Sequence, residues 1–324
     1  MTTALVAGAA GFIGSHLTDA LLLSGYDVCG IDNLVTGALE NLTDAKKSSS
    51  FHFIRADIAG DPDVLLAQIE NELEPPAYVF HLASPASPVD YVAIPIETML
   101  ANSRGTQFLL DASKRWGARI LFASTSEAYG DPAEHPQRET YWGNVNPVGP
   151  RSCYDESKRF GEALMMAYAR TQNVDVRIIR IFNTYGPRMR RNDGRVIPNF
   201  VEQIATGVPI TLYGDGSQTR SFCYVDDLVD GIILCMKAER ARELVINLGN
   251  PEEYTVRELA SVLCEISGVS LSVVSRDLPV DDPTRRRPDI GRAMKLLGWK
   301  PHVPLREGLR RTLASYREGV GSPR

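Results

Sequence analysis

A tyrosine and a lysine four residues apart, Tyr154 and Lys158, are the clearest candidates for acid–base chemistry in this sequence. Residues at this spacing on a helix lie on one face, with their side chains adjacent. Tyrosine, with a free pKa of about 10, is a poor base at neutral pH, but a neighbouring ammonium group stabilises its phenolate. The pair can therefore take a proton from an alcohol while a hydride leaves the same carbon. Because such pairs also occur by chance on helix surfaces, this one needs support from other residues.

That support comes from the polar run 124–127, which directly follows the fifth apolar strand of the chain. In an open parallel sheet, the residues just past the carboxyl ends of the strands line the ligand crevice. We therefore expect Thr125 and Glu127 to lie beside the substrate, next to the helix that carries Tyr154.

A glycine-rich turn lies between the first apolar run and the first helical pattern, with Gly8, Gly11 and Gly14 as its glycines. Glycines at these positions permit a tight turn, the approach of a pyrophosphate to the backbone and close packing of helix on strand. The helix N-terminus adds amide groups and a partial positive charge. Because the turn follows a strand and opens a helix, it has the context that the motif requires, and we predict a dinucleotide site.

Two acidic residues follow the next two strands. Asp32 ends the second strand, where a carboxylate accepts hydrogen bonds from an adenosine ribose and repels a 2′-phosphate. We therefore predict NAD rather than NADP as the cofactor; the alternative for Asp32 is an ordinary turn residue at a strand end. Asp57, after the third strand, is expected on the adenine side.

These residues need alternating strands and helices to bring them together, and the first half of the chain has that pattern. Short apolar runs predict six strands, at residues 5–7, 28–31, 51–54, 78–82, 120–123 and 176–181. Helical stretches separate most of them, which indicates βαβ units and a parallel sheet covered on both faces. The predicted fold class is α/β, a doubly wound, Rossmann-like parallel sheet.

The pattern changes after about residue 183, where glycine and proline separate shorter elements. A helix over 224–236, capped by Asp226 or Asp227, is expected to pack back on the first domain. The tail 255–316 shows three helical patterns and a short strand at 271–274. We predict a dinucleotide-binding domain from residues 1–182 and 223–249. A smaller α/β substrate-binding domain is predicted from 183–222 and 250–324, with the site in the cleft between the two.

Composition narrows the class of protein. The chain has 324 residues with 35 Lys+Arg and 40 Asp+Glu, a formal net charge of −5, which argues against nucleic acid or a membrane as partner. The short basic tract 285–287 is interpreted as a surface or phosphate-facing feature. Five scattered cysteines without a Cys-x-x-Cys pair indicate a reducing compartment and no zinc site. The first strand begins almost at Met1 and no apolar run has membrane-spanning length, so we expect a cytoplasmic protein.

Several stretches resemble the UDP-glucuronate decarboxylases, or UDP-xylose synthases, of the extended short-chain dehydrogenase/reductase family. They are residues 81–88, 123–130, 151–159, 181–189, 193–196, 214–222 and 286–290, and the similarity covers about residues 4 to 315. Ala9 and Ala128 depart from the residues usual in that family, at positions that are not expected to carry chemistry.

The resemblance implies NAD as cofactor, a UDP-sugar as substrate and a homodimer formed through a four-helix bundle that includes the Tyr154 helix. The cofactor residues it implies are Gly8, Gly11, Phe12, Ile13, Gly14, Asp32, Asn33, Gly37, Asp57, Ile58, Leu82, Ser84, Tyr154, Lys158, Thr184 and Arg195. The substrate residues it implies are Pro85, Asn183, Ile197, Asn199, Phe200, Thr211, Tyr213, Gln218 and Arg220.

The resemblance also implies a reaction. Tyr154 takes the proton of the sugar 4-hydroxyl, with Thr125 bonded to the same oxygen, and a hydride moves from C4 to NAD. The resulting β-keto acid loses CO2, the enolate is protonated at C5, and hydride returns to C4 to give UDP-xylose. Arg220 is the candidate for positioning the carboxylate, because a planar guanidinium matches it; the alternative is a salt bridge to Asp215 or Asp226. Glu127 either relays protons or fixes the sugar ring.

Other activities of the family remain to be weighed. A 4,6-dehydratase typically has Asp-Glu after the threonine, whereas this chain has Ser126-Glu127, which disfavours elimination. A UDP-glucuronate or UDP-hexose 4-epimerase is the main alternative, and an inactive NAD-binding regulator is a distant one, since Thr125, Tyr154 and Lys158 are all present. His16, His81 and Cys153 have no partners at metal or nucleophile spacing, so structural roles are expected for them.

Overall fold

The computed structural model describes residues 1–191, 193–277 and 285–320. The strands are β1 Thr3–Ala7, β2 Asp27–Asp32, β3 Phe51–Arg55, β4 Tyr78–His81, β5 Arg119–Thr125, β6 Val176–Ile181, β7 Thr184–Tyr185, β8 Ile210–Tyr213, β9 Thr219–Ser221, β10 Cys223–Tyr224, β11 Val245–Leu248, β12 Glu253–Thr255, β13 Val273–Arg276 and β14 Arg285–Arg286. The helices are α1 Phe12–Leu23, α2 Pro62–Glu72, α3 Pro88–Ala93, α4 Pro95–Asn102, α5 Arg104–Trp116, α6 Ser152–Gln172, α7 Val196–Thr206, α8 Val225–Lys237, α9 Val256–Ser267, α10 Gly291–Leu297 and α11 Leu305–Val320.

Seven strands form one parallel sheet in the order β11-β6-β5-β4-β1-β2-β3. The six predicted strands are all in it, with ends displaced by no more than two residues, and the doubly wound α/β prediction is confirmed. The seventh strand, β11, was not predicted. The strand order reverses between β1 and β4, and ligands of such sheets bind at this reversal, outside the carboxyl ends of the strands.

Apolar side chains cover both faces of the sheet. On one face, Leu65 of α2, Leu109 of α5 and Met165 of α6 pack together. On the other face, α1 and α8 pack on the sheet, and the same cluster continues into α7, α9 and α11. Because this core is continuous, the division into two domains stays a prediction.

The second predicted domain contains the small sheets β12-β9-β14 and β13-β8, and a third small sheet, β10-β7, joins a strand of each predicted domain. The three helical patterns of the tail are α9, α10 and α11, and the short strand lies at Val273–Arg276. Residues 278–284 and 321–324 of the tail lie outside the described residues.

Local sequence explains several helix ends. Thr255 and Glu258 form a capping box at the start of α9, and Gly268 ends the helix with a φ of 73°. The predicted cap of α8 is wrong. Tyr224 is the N-cap and makes no side-chain bond, while Asp226 and Asp227 lie in the first turn, where their charge favours the helix dipole. Within the described ranges, no helix is both long and apolar enough to span a membrane.

Candidate active site

A cavity of about 990 Å³ opens at the carboxyl ends of the central strands, at the upper end of the usual range for ligand sites. Its lining includes these predicted residues: Gly8, Gly11, Phe12, Ile13, Gly14, Gly37, Leu82, Ser84, Thr125, Glu127, Tyr154, Lys158, Asn183, Thr184, Arg195, Ile197, Asn199, Phe200, Thr211, Tyr213, Gln218 and Arg220. The structure therefore brings most of the predicted cofactor, catalytic and substrate residues to one place.

The glycine turn between β1 and α1 has no space for a side chain at Gly8 or Gly14. Gly8 has a φ of 86°, and a Cβ atom there would lie 2.7 Å from the main-chain nitrogen of Ala83. A Cβ atom on Gly14 would lie 1.9 Å from the Gly8 carbonyl oxygen. The N-cap of α1 is Gly11, which has no side chain, so the amides of the first turn receive no hydrogen bond from the cap position. This is a cradle of the kind that binds pyrophosphate.

Asp32 ends β2 beside this turn, and main-chain amides orient its carboxylate. Its Oδ2 accepts a hydrogen bond from Ala10 N over 3.0 Å and its Oδ1 accepts one from Leu34 N over 2.8 Å. Burial raises the pKa of Asp32, and these amides oppose the increase. A carboxylate has about four lone-pair sites, so both oxygens keep capacity to accept further hydrogen bonds.

Five predicted residues do not belong to the cavity lining: Asp32, Asn33, Asp57, Ile58 and Pro85. Asn33 Nδ2 donates to Asp57 Oδ2 over 3.0 Å, which links the ends of β2 and β3. The Ile58 side chain is buried against Gly105, so its contribution to a ligand site is limited to its main chain.

Tyr154 and Lys158 lie on the first two turns of α6, as predicted. The Tyr154 ring is buried and stacks on Tyr91, with ring centroids 4.9 Å apart, and its hydroxyl shares a hydrogen bond with the Thr125 side chain. Burial raises the pKa of Tyr154 and Glu127 adds to the increase, whereas Thr125 and Arg195 lower it.

Lys158 makes a different contact from the one we expected. Its Nζ donates to the Ala123 carbonyl oxygen over 2.9 Å and lies 5.8 Å from the centroid of the Tyr154 ring. Burial lowers the pKa of Lys158 to about 7, against a smaller opposing effect of Glu162. Burial therefore raises the pKa of Tyr154 and lowers that of Lys158, the opposite of what the sequence suggested for this pair.

Glu127 is held by two arginines. Arg286 Nη1 donates to Glu127 Oε1 over 2.9 Å, and Arg151 Nη2 donates to Oε2. Burial alone would raise the pKa of Glu127, but the two guanidinium groups outweigh it and lower the pKa to about 2. Glu127 is therefore an ionised acceptor fixed between two cations.

Asp155 adds a second carboxyl group next to this pair. Burial and the negative charge of Glu127 raise the pKa of Asp155 to about 8, and the two carboxyl groups share a hydrogen bond. The buried Asp155 Oδ1 has no hydrogen-bond partner in the described part of the chain. A carboxyl group in this setting keeps its proton at neutral pH.

Sequence reasoning missed four residues of this centre: Tyr91, Arg151, Asp155 and Arg286. Arg151 and Asp155 flank Tyr154 within one turn, so proximity to the tyrosine was the available signal. Arg286 was expected in a surface or phosphate-facing tract. Its burial excludes the surface alternative: β14 pairs with β9, which places Arg286 opposite Arg220 and in the cavity lining.

Two further arginines reach the cavity. Arg195 precedes α7, its Nη2 donates to Asp193 Oδ2 over 2.6 Å, and its charge acts on Tyr154. Arg220 lies on β9 and its Nη1 donates to the Thr219 carbonyl oxygen over 2.9 Å. The sequence offered Asp215 and Asp226 as alternative salt-bridge partners for Arg220. In the structure, Asp226 pairs with Arg311, and Asp215 accepts a hydrogen bond from Ser217 N.

At the end of the cavity formed by α7 and β8, side chains are held by hydrogen bonds within the protein. Gln203 Nε2 donates to Thr211 Oγ1 over 3.0 Å, and Gln218 Nε2 donates to the Tyr213 carbonyl oxygen over 2.7 Å. Ile197, Asn199 and Phe200 lie on α7 at the same end. This end has apolar surfaces beside amide and hydroxyl groups, which suits a polar ligand with a flat ring.

Comparison with known proteins shows the family to which this chain belongs. The family model described as the NAD-dependent epimerase/dehydratase family matches residues 4–249. UDP-glucuronic acid decarboxylase 1 of Arabidopsis thaliana is 48% identical over 316 residues, which is 98% of this chain and 70% of the relative.

Solved structures with the same fold carry related ligands. A UDP-glucose 4-epimerase from Thermotoga maritima, crystallised with UDP-glucose, superimposes with a TM-score of 0.90 at 32% identity, covering 98% of this chain and 100% of that one. A UDP-glucuronic acid 4-epimerase from Bacillus cereus, in complex with UDP-glucuronic acid and NAD, gives a TM-score of 0.86 at 32% identity, covering 98% and 99%.

Proposed function

The chain belongs to the NAD-dependent epimerase/dehydratase family, and we propose that within this family it converts UDP-glucuronate into UDP-xylose and CO2. The observation that carries this choice is the 48% identity to a UDP-glucuronic acid decarboxylase along nearly the whole chain. The similarity to the epimerase structures is lower, at 32% identity. The cavity holds the groups that the reaction needs.

The glycine turn and Asp32 fit NAD. The turn has no space for a side chain at Gly8 or Gly14 and offers the amides of the α1 N-terminus to a pyrophosphate, while the carboxylate of Asp32 suits a ribose that lacks a 2′-phosphate. When bound, NAD accepts a hydride from C4 of the sugar and later returns it. The side chains around the sugar transfer the proton of the 4-hydroxyl, stabilise the enolate and orient the carboxylate.

Tyr154 and Thr125 act at the sugar 4-hydroxyl. The Tyr154 oxygen accepts the hydroxyl proton as C4 is oxidised, and the Thr125 hydroxyl, already bonded to Tyr154, holds the same sugar oxygen. The positive charge of Arg195 lowers the pKa of Tyr154 and so favours the phenolate against the effect of burial. Lys158 anchors the end of β5 through the Ala123 carbonyl oxygen.

Decarboxylation follows because the oxidised sugar is a β-keto acid. The C5–C6 bond breaks, CO2 leaves, and the electron pair moves into an enolate whose charge rests on the C4 oxygen. The hydroxyls of Thr125 and Tyr154 donate hydrogen bonds to that oxygen, which stabilises the charge where it develops. A proton then adds at C5, and C4 is reduced again to give the pentose.

Arg220 is proposed to orient the sugar carboxylate, since it lies in the cavity wall and a guanidinium matches a carboxylate in geometry. Binding alone does not accelerate the step, so the arginine must hold the group without stabilising it more than the transition state. Arg220→Ala should impair CO2 release more than oxidation at C4. Rapid-quench analysis, with the 4-keto acid and CO2 followed separately, measures the two steps, and equal losses in both would contradict this role.

We also propose that the protein forms a homodimer and is located in the cytoplasm. A homodimer is supported by apolar side chains that α4 and α6 leave exposed, namely Ile96, Met99 and Phe160. Light scattering after size exclusion distinguishes a dimer from a monomer. A cytoplasmic location is supported by the five cysteines, which are all buried free thiols.

Incubation of the purified protein with UDP-glucuronate, with and without added NAD, tests the proposed function. Mass spectrometry should show a pentose nucleotide in place of the hexuronate. A product of unchanged mass with mixed configuration at C4 would instead establish a 4-epimerase, and no turnover at all would support an inactive NAD-binding protein.

A further inference from the structure

Arg286 reaches Glu127 from a segment with little regular structure of its own. β14 consists of two residues, and its ladder to β9 ends at the pairing of Arg286 with Arg220. The segment that follows, 287–289, belongs to no helix or strand of the sheets. Something outside this segment must therefore hold the arginine against Glu127. We propose that Gln137 is a positioning residue that fixes Arg286 for the decarboxylation reaction, and this inference rests on the proposed function.

Gln137 makes three hydrogen bonds to the segment. Its main-chain nitrogen donates to the Arg287 carbonyl oxygen over 2.9 Å, and its side-chain Oε1 accepts from Arg287 N over 2.8 Å. Its own carbonyl oxygen accepts from Asp289 N over 2.9 Å. One residue thus satisfies both main-chain groups of the position next to Arg286 and holds the chain again two residues further on.

Gln137 is itself fixed from both sides. It is fully buried, at 0% exposure, and its Nε2 donates to the Glu134 carbonyl oxygen over 2.8 Å. Asn247 of β11, also fully buried, donates from Nδ2 to the carbonyl oxygens of Gln137 and Asp289 over 3.0 and 3.1 Å. The segment is therefore tied to an edge strand of the main sheet.

The same asparagine also connects to the other partner of the ion pair. Asn247 Oδ1 accepts a hydrogen bond from the Tyr129 hydroxyl over 2.7 Å, and Tyr129 lies two residues after Glu127. Gln137 and Asn247 thus link the Glu127 turn and the Arg286 segment through buried amides. Such a link fixes the distance between the two charges, and displacements near 1 Å cost about 100-fold in rate when they misplace catalytic groups.

A double-mutant cycle on CO2 release separates positioning from general stability. Gln137→Leu keeps the size of the side chain but removes the acceptor for Arg287 N and the donor to Glu134. Alone, it should lower kcat about tenfold or more, with KM within about twofold of the wild type. In an Arg286→Gln background, where the guanidinium is already absent, the same substitution should change kcat by less than about twofold.

The control is Ser113→Ala, a fully buried polar residue of α5 whose hydroxyl donates to the Leu109 carbonyl oxygen away from the site. It should leave kcat unchanged in both backgrounds. If Gln137→Leu does not fold, Gln137→Met, an unbranched side chain of similar size that also lacks the amide groups bonded to Arg287 N and the Glu134 carbonyl oxygen, goes through the same cycle and should show the same dependence on Arg286.

An equal loss of kcat in both backgrounds would overturn the positioning role, as would a Gln137 variant that behaves like Ser113→Ala. The wild type alone decides the proposed function. If it releases no CO2, both the proposed function and the role of Gln137 in that reaction fall. If it releases CO2 and the cycle is additive, only the role of Gln137 falls.

Discussion

Replacing Arg286 with glutamine removes one of the two guanidinium groups that hold Glu127. Arg286 Nη1 lies 2.9 Å from Glu127 Oε1, and the two side chains are 7% and 15% exposed. Glutamine keeps an amide that can donate a hydrogen bond but carries no charge. The substitution therefore tests the charge of the pair more than its shape.

The size of the effect follows from distance and burial. At 2.9 Å and an effective dielectric constant of about 20, two unit charges attract by about 6 kcal/mol. Part of this attraction offsets the cost of removing both charges from water, and breaking a buried pair from one side costs about 3–5 kcal/mol. Because Arg151 still binds Glu127, we expect the lower end, a loss of about 3 kcal/mol in the free energy of unfolding.

Urea unfolding at pH 7 measures the loss, and CO2 release from UDP-glucuronate gives kcat, which should fall at least about tenfold as Glu127 loses its fixed position. Arg138→Gln is the matched control, because Arg138 forms an exposed ion pair with Asp289 at 3.3 Å in the same region, and surface pairs contribute about 0–1 kcal/mol. If Arg286→Gln is no less stable than this control and keeps the wild-type kcat, the buried pair has no part in stability or catalysis.

Three further predictions concern single residues. Tyr154→Phe should abolish turnover while NAD still binds, and retained turnover would exclude Tyr154 as the base; fluorescence titration with NAD checks the binding. Asp32→Ala should reduce the preference for NAD over NADP, which the ratio of kcat/KM values measures, and an unchanged ratio would leave Asp32 as a turn residue. Asp155 has a pKa raised to about 8 by burial and by Glu127, so the folded state holds this proton up to a higher pH than the unfolded state, where the pKa is about 3.9. Its contribution to stability is therefore present at low pH and is lost as the pH rises through about 8. Asp155→Asn, which does not titrate, should gain in thermal stability relative to the wild type between pH 5 and pH 9, and a constant difference across that range would contradict a protonated Asp155.

Features encoded by local sequence could be predicted well. The glycine turn, the position of Thr125 at the carboxyl end of β5 and the spacing of Tyr154 and Lys158 depend on residues close together in the chain, and the structure places them in the cavity lining. The six strands of the first half follow from apolar runs in the same way.

Features that depend on distant parts of the chain were not accessible. Glu127 and Arg286 are 159 residues apart in sequence and meet only because β14 pairs with β9. The direction of the Lys158 ammonium depends on where the Ala123 carbonyl oxygen lies, and the sequence does not specify that. Burial, which sets the pKa of Tyr154, Lys158 and Asp155, is likewise a property of the assembled fold.

Turnover of UDP-glucuronate in D2O, followed by NMR of the sugar nucleotide and by measurement of CO2, tests the proposed reaction most directly. Loss of the carboxylate from a 4-keto acid predicts one CO2 for each UDP-xylose formed and a single deuterium at C5, because the enolate takes up its proton there. A nucleotide that keeps its carboxyl group, with altered configuration at C4 and no CO2, would contradict decarboxylation.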